Sequence, residues 1–232
     1  MIEYIGKCLL IDKKILVVGD LHLGYGESLR RSGVFLPANV YALIKEDLEL
    51  VFSAVGKVEE IVFLGDVKHA IGTILGEERQ QLMQLITFIS NHCTKIVVVK
   101  GNHDVLLEPL LRDFAVHLVD SYQYKDIVFV HGNKDVAALH EKGVGVWVMG
   151  HAHAAITLTE NSKAETYKCF LVGMYKGKHV IILPSFFPFA EGSDPRYSAF
   201  DLAWEFPLAS FQVKVVGEGL DVLDFGQLKK IP

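Results

Sequence analysis

Five short apolar segments of the chain end at a glycine, and each glycine lies beside side chains that can bind a metal ion or move a proton. The segments are ILVVGDLH, EIVFLGDVKH, KIVVVKGNHD, IVFVHG and VWVMGHAH. Their polar ends supply Asp20, His22, Asp66, His69, Asn102, His103, Asp104, His131, His151 and His153. The chemistry that these residue types offer is metal binding and acid–base catalysis.

Each motif taken alone has an ordinary structural explanation. An aspartate after a glycine commonly forms a turn with its own backbone, and GNHD can be a turn followed by a helix cap. The histidine pair of GHAH is more informative, because residues i and i+2 of an extended chain point the same way. All five motifs occur in order at the ends of apolar runs, and this agreement makes coincidence a poor explanation.

The donor set indicates which metal ions the site would take. It contains carboxylates, imidazoles and one amide but no thiolate, which suits manganese, iron or zinc rather than calcium. There are more donors than one ion can use, so we expect two ions that share one carboxylate. Asp66 is the candidate bridge because it lies in the middle of the set. A metal pair of this kind can clamp both the attacking and the leaving oxygen of a phosphate.

The elements that must position these residues are predicted from the hydrophobic pattern. Continuous apolar runs bounded by glycine predict strands buried on both faces. Pro37 is predicted to open one helix, and a second is predicted over EERQQLMQLITFISNH. Pro109 is expected to limit a helix after GNHD, and CLLIDKKILVV predicts a hairpin that turns near Asp12 and Lys13. After Val144, strands follow one another without helices, which predicts a second, more antiparallel sheet.

Length and composition limit the class of protein. The chain has 232 residues, of which 50% are hydrophobic, and it shows no linker-like segment, so we predict one α/β domain over residues 1–232. No signal peptide or membrane span is evident, and the three cysteines have no metal-binding spacing, so we expect a cytoplasmic protein that does not bind membranes. A net charge of −5 provides no overall attraction for nucleic acid.

The ordered motifs D-x-H, G-D, G-N-H-D, a lone histidine and G-H-x-H resemble those of the calcineurin-like metallophosphoesterase superfamily. The resemblance covers residues 15–187. It implies a four-layer α/β/β/α sandwich of two mixed β-sheets, which agrees with the helix-rich first half and the strand-rich second half of the sequence. It also implies two divalent metal ions, with manganese expected first and iron, zinc or nickel as alternatives.

The resemblance implies a role for each motif residue. The first metal site would comprise Asp20, His22, Asp66 and His153, and the second Asp66, Asn102, His131 and His151. His103 matches the histidine that protonates or steadies the leaving group. Asp104 either orients His103 or caps the next helix, and we favour the cap.

His69 indicates which branch of the superfamily the chain resembles. Protein phosphatases of this fold carry G-D-x-x-D-R-G, whereas this chain reads GDVKHAIG and lacks the arginine that would grip a phosphomonoester. G-D-x-x-H resembles the SbcD-type branch, in which this histidine acts near the scissile phosphate. The alternative is that His69 only packs beside Asp66. The DNA-capping and ATPase-binding regions of the repair nucleases of that branch have no counterpart in this sequence.

We therefore expect a metal-dependent phosphoesterase that cleaves phosphodiesters, with a nucleic acid or a nucleotide as substrate and an oligomeric state that the sequence leaves open. A phosphomonoesterase or nucleotide pyrophosphatase and a non-catalytic metal-binding scaffold are the alternatives. A mononuclear iron oxygenase does not fit the surplus of ligands. The segment LGYGESLRRSG is expected to be a solvated surface loop or a phosphate contact, and Phe186, Phe187 and Phe189 either stack on a base or pack under the sheet.

Overall fold

The computed structural model describes residues 1–35, 39–161 and 163–231. Pro37 lies outside these residues, so its predicted place at a helix start stays a prediction. The α-helices are α1 (Tyr25–Arg31), α2 (Val40–Val55), α3 (Gly76–Ile89) and α4 (Leu107–Leu111). Among the described residues, no helix is both long and apolar enough to span a bilayer.

The first sheet has six strands in the order in which they occur along the chain. They are β1 (Ile2–Ile5), β2 (Cys8–Ile11), β3 (Ile15–Val18), β4 (Val58–Phe63), β5 (Cys93–Val99) and β6 (Val116–Val119). Strands β3 to β6 are parallel, and β1, β2 and β3 pair antiparallel. The predicted hairpin is confirmed, since Asp12 and Lys13 turn with φ values of 52° and 58° between β2 and β3.

The second sheet has eight strands and mixed pairing. They are β7 (Tyr122–Tyr124), β8 (Ile127–Val130), β9 (Val146–Met149), β10 (Ala155–Glu160), β11 (Lys163–Tyr175), β12 (Lys178–Ile182), β13 (Gln212–Val216) and β14 (Val222–Gln227). The order is β14-β13-β11-β12-β9-β8-β7, with β10 paired to β11. Among the described strands of this sheet, the pairs β8–β9 and β9–β12 are parallel and the other pairs are antiparallel. The predicted α/β class with two mixed sheets is confirmed.

Three apolar layers hold the molecule together. Side chains of β3 alternate between two of them: Leu16 and Val18 face α2 and α3, whereas Ile15 and Val17 face the second sheet. Strands buried on both faces were predicted from the continuous apolar runs, and the alternation of β3 confirms this. The helix α3 buries Leu82, Leu85, Ile86 and Ile89 on its predicted apolar face.

The outer face of the second sheet is covered differently from that of the first. Short 3-10 turns and extended segments pack there in the described residues, and all four α-helices precede residue 112. The ring of Trp147 lies 5.4 Å from that of Trp204, and Phe206 lies 4.9 Å from Tyr175. Large aromatic rings from an irregular segment thus bury the apolar face that a helix would otherwise cover.

Candidate metal centre

The five predicted strand ends meet at one place in the fold. Asp20 and His22 follow β3, Asp66 follows β4, and Asn102 and His103 follow β5. The remaining residues, His131, His151 and His153, follow the neighbouring parallel strands β8 and β9 of the second sheet. Because parallel strands present their carboxyl ends on one edge, both sheets deliver their polar ends to the same cleft.

The side chains form two groups with metal-binding geometry. In each, one donor atom per residue lies within 4.8 Å of the others: Asp20, His22 and His153 form the first group, and Asp66, His131 and His151 the second. Asn102 joins the second group, since its Oδ1 lies 3.0 Å from His131 Nε2. The structure therefore brings all seven predicted metal-binding side chains together.

Asp66 lies between the two groups. Its Oδ2 is 3.4 Å from His131 Nε2 in the second group and 4.0 Å from His22 Nε2 in the first. Its Oδ1 accepts a hydrogen bond of 3.0 Å from the backbone N–H of His103. This backbone contact fixes the carboxylate between the two groups.

Four of the seven side chains are carried by residues in the left-handed region of backbone conformation. The φ values are 49° at His22, 47° at Asp66, 66° at His151 and 46° at His153. Residues other than glycine rarely adopt this conformation, and it costs on the order of 1 kcal/mol or more for each residue. The turns after β3, β4 and β9 are thus held in a strained form that aims the side chains into the cleft.

Two glycines permit the close approach of the strand ends. A Cβ atom on Gly65 would lie 2.5 Å from His131 Nδ1, and one on Gly101 would lie 2.2 Å from Asp66 Oδ1. Any larger residue would displace these side chains. The predicted role of the glycines, to bring the backbone near the site, is confirmed at these two positions.

Hydrogen bonds to the backbone set the orientation of the buried ligand candidates. His131 Nδ1 lies 2.6 Å from the carbonyl oxygen of Leu64, which assigns a proton to Nδ1 and turns Nε2 towards Asp66 and Asn102. Asp20 accepts a hydrogen bond of 3.2 Å from the backbone N–H of His151. The turn after β9 is therefore tied to the turn after β3.

The charge states of these groups follow from their burial and their neighbours. Burial opposes ionisation of Asp20, but His153, whose Nε2 lies 3.6 Å from Oδ1, and the other nearby histidines outweigh it and hold its pKa well below the ordinary range. Burial lowers the pKa of His22 to about 3, despite the two nearby carboxylates. For His131, burial is outweighed by Asp66 and Asp20, which raise its pKa to about 9.

Two observations test whether the cleft fits metal ions. His22 Nε2 and His153 Nε2 face each other at 3.3 Å, and both nitrogens point at the same place beside Asp20. His151 Nε2 is buried and has no hydrogen-bond partner among the described residues. A cation would satisfy the unpartnered nitrogen of His151, and imidazoles that converge with two carboxylates are a donor set that transition metals prefer, so the residues fit a dinuclear site.

The two predicted catalytic histidines line the same cleft. His103 Nδ1 is hydrogen-bonded to the carbonyl oxygen of His69, and its Nε2 lies 3.8 Å from Asp66 Oδ2. His69 Nδ1 lies 3.4 Å from His22 Nδ1, and the rings of His69 and His103 stack with centroids 5.5 Å apart. These two histidines and His22 form a third group with metal-binding spacing.

The prediction that Asp104 caps the next helix is wrong. Its carboxylate instead accepts hydrogen bonds from the backbone N–H groups of Gly101, at 2.9 Å, and Lys68, at 3.3 Å. Burial raises the pKa of Asp104 to about 6. The residue thus ties the turn after β4 to the turn after β5, which is a structural role next to the cleft.

A buried ion pair behind His69 was not predicted. Lys68 and Glu78 are fully buried, and Lys68 Nζ lies 3.8 Å from Glu78 Oε2. The Glu78 carboxylate accepts hydrogen bonds from the backbone N–H groups of His69, at 2.9 Å, Ala70, at 2.8 Å, and Leu75, at 3.2 Å. The pair therefore holds the loop that carries His69. In the sequence this pair is only a lysine and a glutamate ten positions apart, and exposed surface residues commonly show the same spacing.

The segment LGYGESLRRSG was predicted to be a loop, but its residues 25–31 form the helix α1. Gly24 enters α1 with a φ of 82°, Glu27 lies in the first turn and Arg30 and Arg31 in the last, a charge order that favours a helix. Arg30 pairs with Glu77, and Arg31 pairs with Glu27 at 2.9 Å. These two arginines thus form surface ion pairs, as the solvated interpretation of this segment predicted.

The three phenylalanines after the last core strand divide between core and cleft. Phe186 is fully buried in the core beside α2 and α3. Phe187 is buried at the edge of the cleft, with its ring 5.9 Å from that of His22. Phe189 is 39% exposed. The packing interpretation therefore holds for Phe186 and Phe187, and Phe187 and Phe189 also lie beside the candidate metal centre.

Solved structures that match this chain include a nuclease, a Vps29 and a metallophosphoesterase. Nuclease MPE from Pseudomonas putida matches with a TM-score of 0.65 and 17% sequence identity, over 97% of this chain and 94% of that chain. A single mutant of Vps29 from Entamoeba histolytica matches with a TM-score of 0.43 and 15% identity, over 91% and 99% of the two chains. A metallophosphoesterase from Sphaerobacter thermophilus matches with a TM-score of 0.35 and 15% identity, over 92% and 88%. At these identities the first match shows a shared fold.

The sequence itself was compared with family models and with curated proteins. No curated protein matched it significantly. The model of the calcineurin-like phosphoesterase superfamily domain matches residues 14–177, which is more than half of the chain and includes every predicted metal-binding side chain. The strand-end motifs, the two mixed sheets and this match agree, and the chain belongs to the calcineurin-like phosphoesterase superfamily.

Proposed function

We propose that this chain is a phosphoesterase that uses two divalent metal ions to hydrolyse phosphodiester bonds. The observation that carries the proposal is the position of Asp66, whose Oδ2 faces His131 in one ligand group and His22 in the other, at 3.4 and 4.0 Å. A carboxylate between two groups of imidazoles is the arrangement that bridges a pair of cations. Such a pair, when bound, generates a nucleophile from water and neutralises the charge that develops on phosphate.

The residues of the chain hold these ions in two overlapping sets. Asp20, His22, Asp66 and His153 would hold the first ion, and Asp66, Asn102, His131 and His151 the second. The charge of the two carboxylates supports this assignment, and a cation at the second site would take the place of the proton that these carboxylates hold on His131. Both carboxylates have pKa values below their ordinary range because neighbouring histidines outweigh the effect of burial, so they are anionic at neutral pH.

His103 is proposed as the proton donor to the leaving oxygen. The hydrogen bond between its Nδ1 and the His69 carbonyl leaves Nε2 facing the cleft. A general acid in this position contributes about 10²- to 10⁴-fold to the rate. His69 is proposed to position the phosphate, because its ring stacks on that of His103 and contacts His22.

Two observations favour a diester over a monoester as substrate. The sequence around Asp66 is GDVKHA, without the arginine that would grip a dianionic monoester, and its G-D-x-x-H pattern with His69 resembles that of the SbcD-type branch. The solved structure with the TM-score of 0.65 is named a nuclease. We therefore propose nucleic acid or a nucleotide as the substrate class, and manganese as the metal.

We also propose that residues 1–232 form one domain that works in the cytoplasm. Cys8, Cys93 and Cys169 are free thiols in the structure, and burial raises the pKa of Cys8 to about 12. Reduced, unreactive thiols of this kind are usual in cytosolic proteins.

The test is the hydrolysis of bis(4-nitrophenyl) phosphate and of 4-nitrophenyl phosphate by chelator-treated protein, before and after manganese is added. We expect manganese-dependent cleavage of the diester in preference to the monoester. Asp66→Asn should abolish this activity, whereas Asp113→Asn, which changes an exposed carboxylate outside the cleft, should leave it unchanged.

Each other outcome contradicts a defined part of the proposal. Cleavage of the monoester alone would make the protein a phosphomonoesterase and remove the proposed role of His69. Absence of turnover on both esters by protein that holds two metal ions would support a non-catalytic scaffold.

A further inference from the structure

A cavity of about 250 Å³ opens beside the first ligand group. Four histidines of the cleft line it: His22, His69, His103 and His153. The rest of its lining, here called the aromatic wall, consists of Tyr25, Phe187, Phe189 and Ala190. The cavity therefore joins the place where a phosphate would be bound to an aromatic wall.

The aromatic wall is held in place from behind. Phe187 is 3% exposed, and its backbone N–H donates a hydrogen bond of 2.9 Å to the carbonyl oxygen of Asp20. Lys168 Nζ is hydrogen-bonded to the carbonyl oxygens of Ser185, at 2.8 Å, and Phe187. The ring of Tyr25 meets that of Phe187 edge to face at 4.7 Å. The wall is thus fixed relative to the first metal-binding aspartate, as a preorganised binding surface must be.

Phe189 lies at the mouth of the cavity. Its ring is 6.1 Å from that of Phe187 and is 39% exposed, so one part of it is free to meet a ligand. Among the described residues, no lysine or arginine lines the cavity. The cavity is therefore suited to the uncharged organic part of a phosphate ester, while the anionic phosphate remains at the metal centre.

We propose that this cavity binds the base of a nucleoside phosphodiester, with Phe189 as the stacking residue. The inference rests on the proposed function and names the substrate group that the same site selects. The volume is below the range of about 300–1,000 Å³ for sites that enclose a whole drug-sized ligand, and a single planar ring system is the matching occupant. Aromatic side chains bind bases of every sequence through their faces.

The experiment measures kcat/KM for thymidylyl-thymidine and for two analogues, each with an abasic residue in place of one nucleoside. Manganese-loaded wild-type protein should prefer the parent over one analogue by about 5- to 150-fold, the range expected for one base stacked on an aromatic ring. Phe189→Ala should lose this preference, and Phe189→Tyr should restore it. Phe225→Ala removes a phenylalanine of similar exposure from β14 and should change nothing.

The outcomes separate this inference from the proposed function. Unchanged preference in Phe189→Ala, or an equal loss on all three substrates, would overturn the inference. Cleavage of bis(4-nitrophenyl) phosphate without cleavage of any dinucleotide would also overturn it and would leave the phosphodiesterase proposal standing. The metal content of Phe189→Ala must equal that of wild type, since the inference assigns this residue to the ester and not to the metal centre.

Discussion

The buried ion pair behind His69 leads to a prediction about stability. Glu78→Ala removes the carboxylate that faces Lys68 Nζ at 3.8 Å and that accepts three backbone hydrogen bonds in the loop of residues 69–75. Both side chains are fully buried, so the substitution leaves a buried ammonium group without its carboxylate. Breaking a buried pair from one side typically costs about 3–5 kcal/mol.

The expected magnitude can be placed within that range. In this variant Lys68 keeps its hydrogen bonds to the carbonyl oxygens of Ala70 and Thr73. His69 and Ala70 are half-buried, so their backbone N–H groups can donate hydrogen bonds to water instead. These contacts reduce the loss, and we expect about 3 kcal/mol. Glu78→Gln should cost less, because one amide oxygen can still accept the bonds that Oε1 accepts from His69 and Ala70.

The assay is urea unfolding followed by circular dichroism, with Glu77→Ala as the matched control. Glu77 precedes Glu78 in the same helix turn, and its side chain is 46% exposed where it pairs with Arg30. Surface pairs of this kind contribute about 0–1 kcal/mol. Equal and small losses in the two variants would refute the claim that the buried pair holds the His69 loop.

Three further predictions concern the cleft and the segment behind it. His103→Ala should reduce the rate of dinucleotide cleavage more than that of bis(4-nitrophenyl) phosphate cleavage, because a nitrophenolate leaves without protonation. Equal losses of kcat on the two substrates would contradict the role of His103 as an acid. Asn102→Ala should lower the manganese content measured by mass spectrometry from two towards one per chain, and an unchanged content would remove Asn102 from the ligand set. Burial lowers the pKa of Lys168 to about 7, which is below that of a lysine in the unfolded chain. Between pH 7 and 10 the unfolded state therefore binds more protons than the folded state, so the contribution of Lys168 to the free energy of unfolding rises with pH. Lys168→Met should lack that rise in urea unfolding at pH 7 and 9.5, and an identical pH dependence in both proteins would contradict the assignment.

Local patterns in the sequence were sufficient to predict much of the fold. The strand β3 is a run of four apolar residues that reaches both cores, and the continuous run itself carries that information. The glycines at positions 65 and 101 mark the turns that bring the ligands together, because only glycine leaves room for the neighbouring side chains. The convergence of the ligands then followed from the parallel order of the strands.

The contacts that sequence patterns could not predict are non-local. Glu77 and Glu78 both appear as acids at a helix start, yet one is exposed and the other is fully buried against Lys68. Asp104 has the residue type of a helix cap, but the backbone of two neighbouring turns competes for its carboxylate. The helix α1 is short and begins after a left-handed glycine, so its seven residues show little periodicity.

The most direct test of the metal-dependent phosphodiesterase proposal is a titration of chelator-treated protein with manganese, in which the bound metal and the rate of bis(4-nitrophenyl) phosphate cleavage are measured together. If the two ligand groups that Asp66 joins act as one centre, the rate should rise to a plateau at two ions per chain. A plateau at one ion, or cleavage that does not depend on metal, would contradict the dinuclear site.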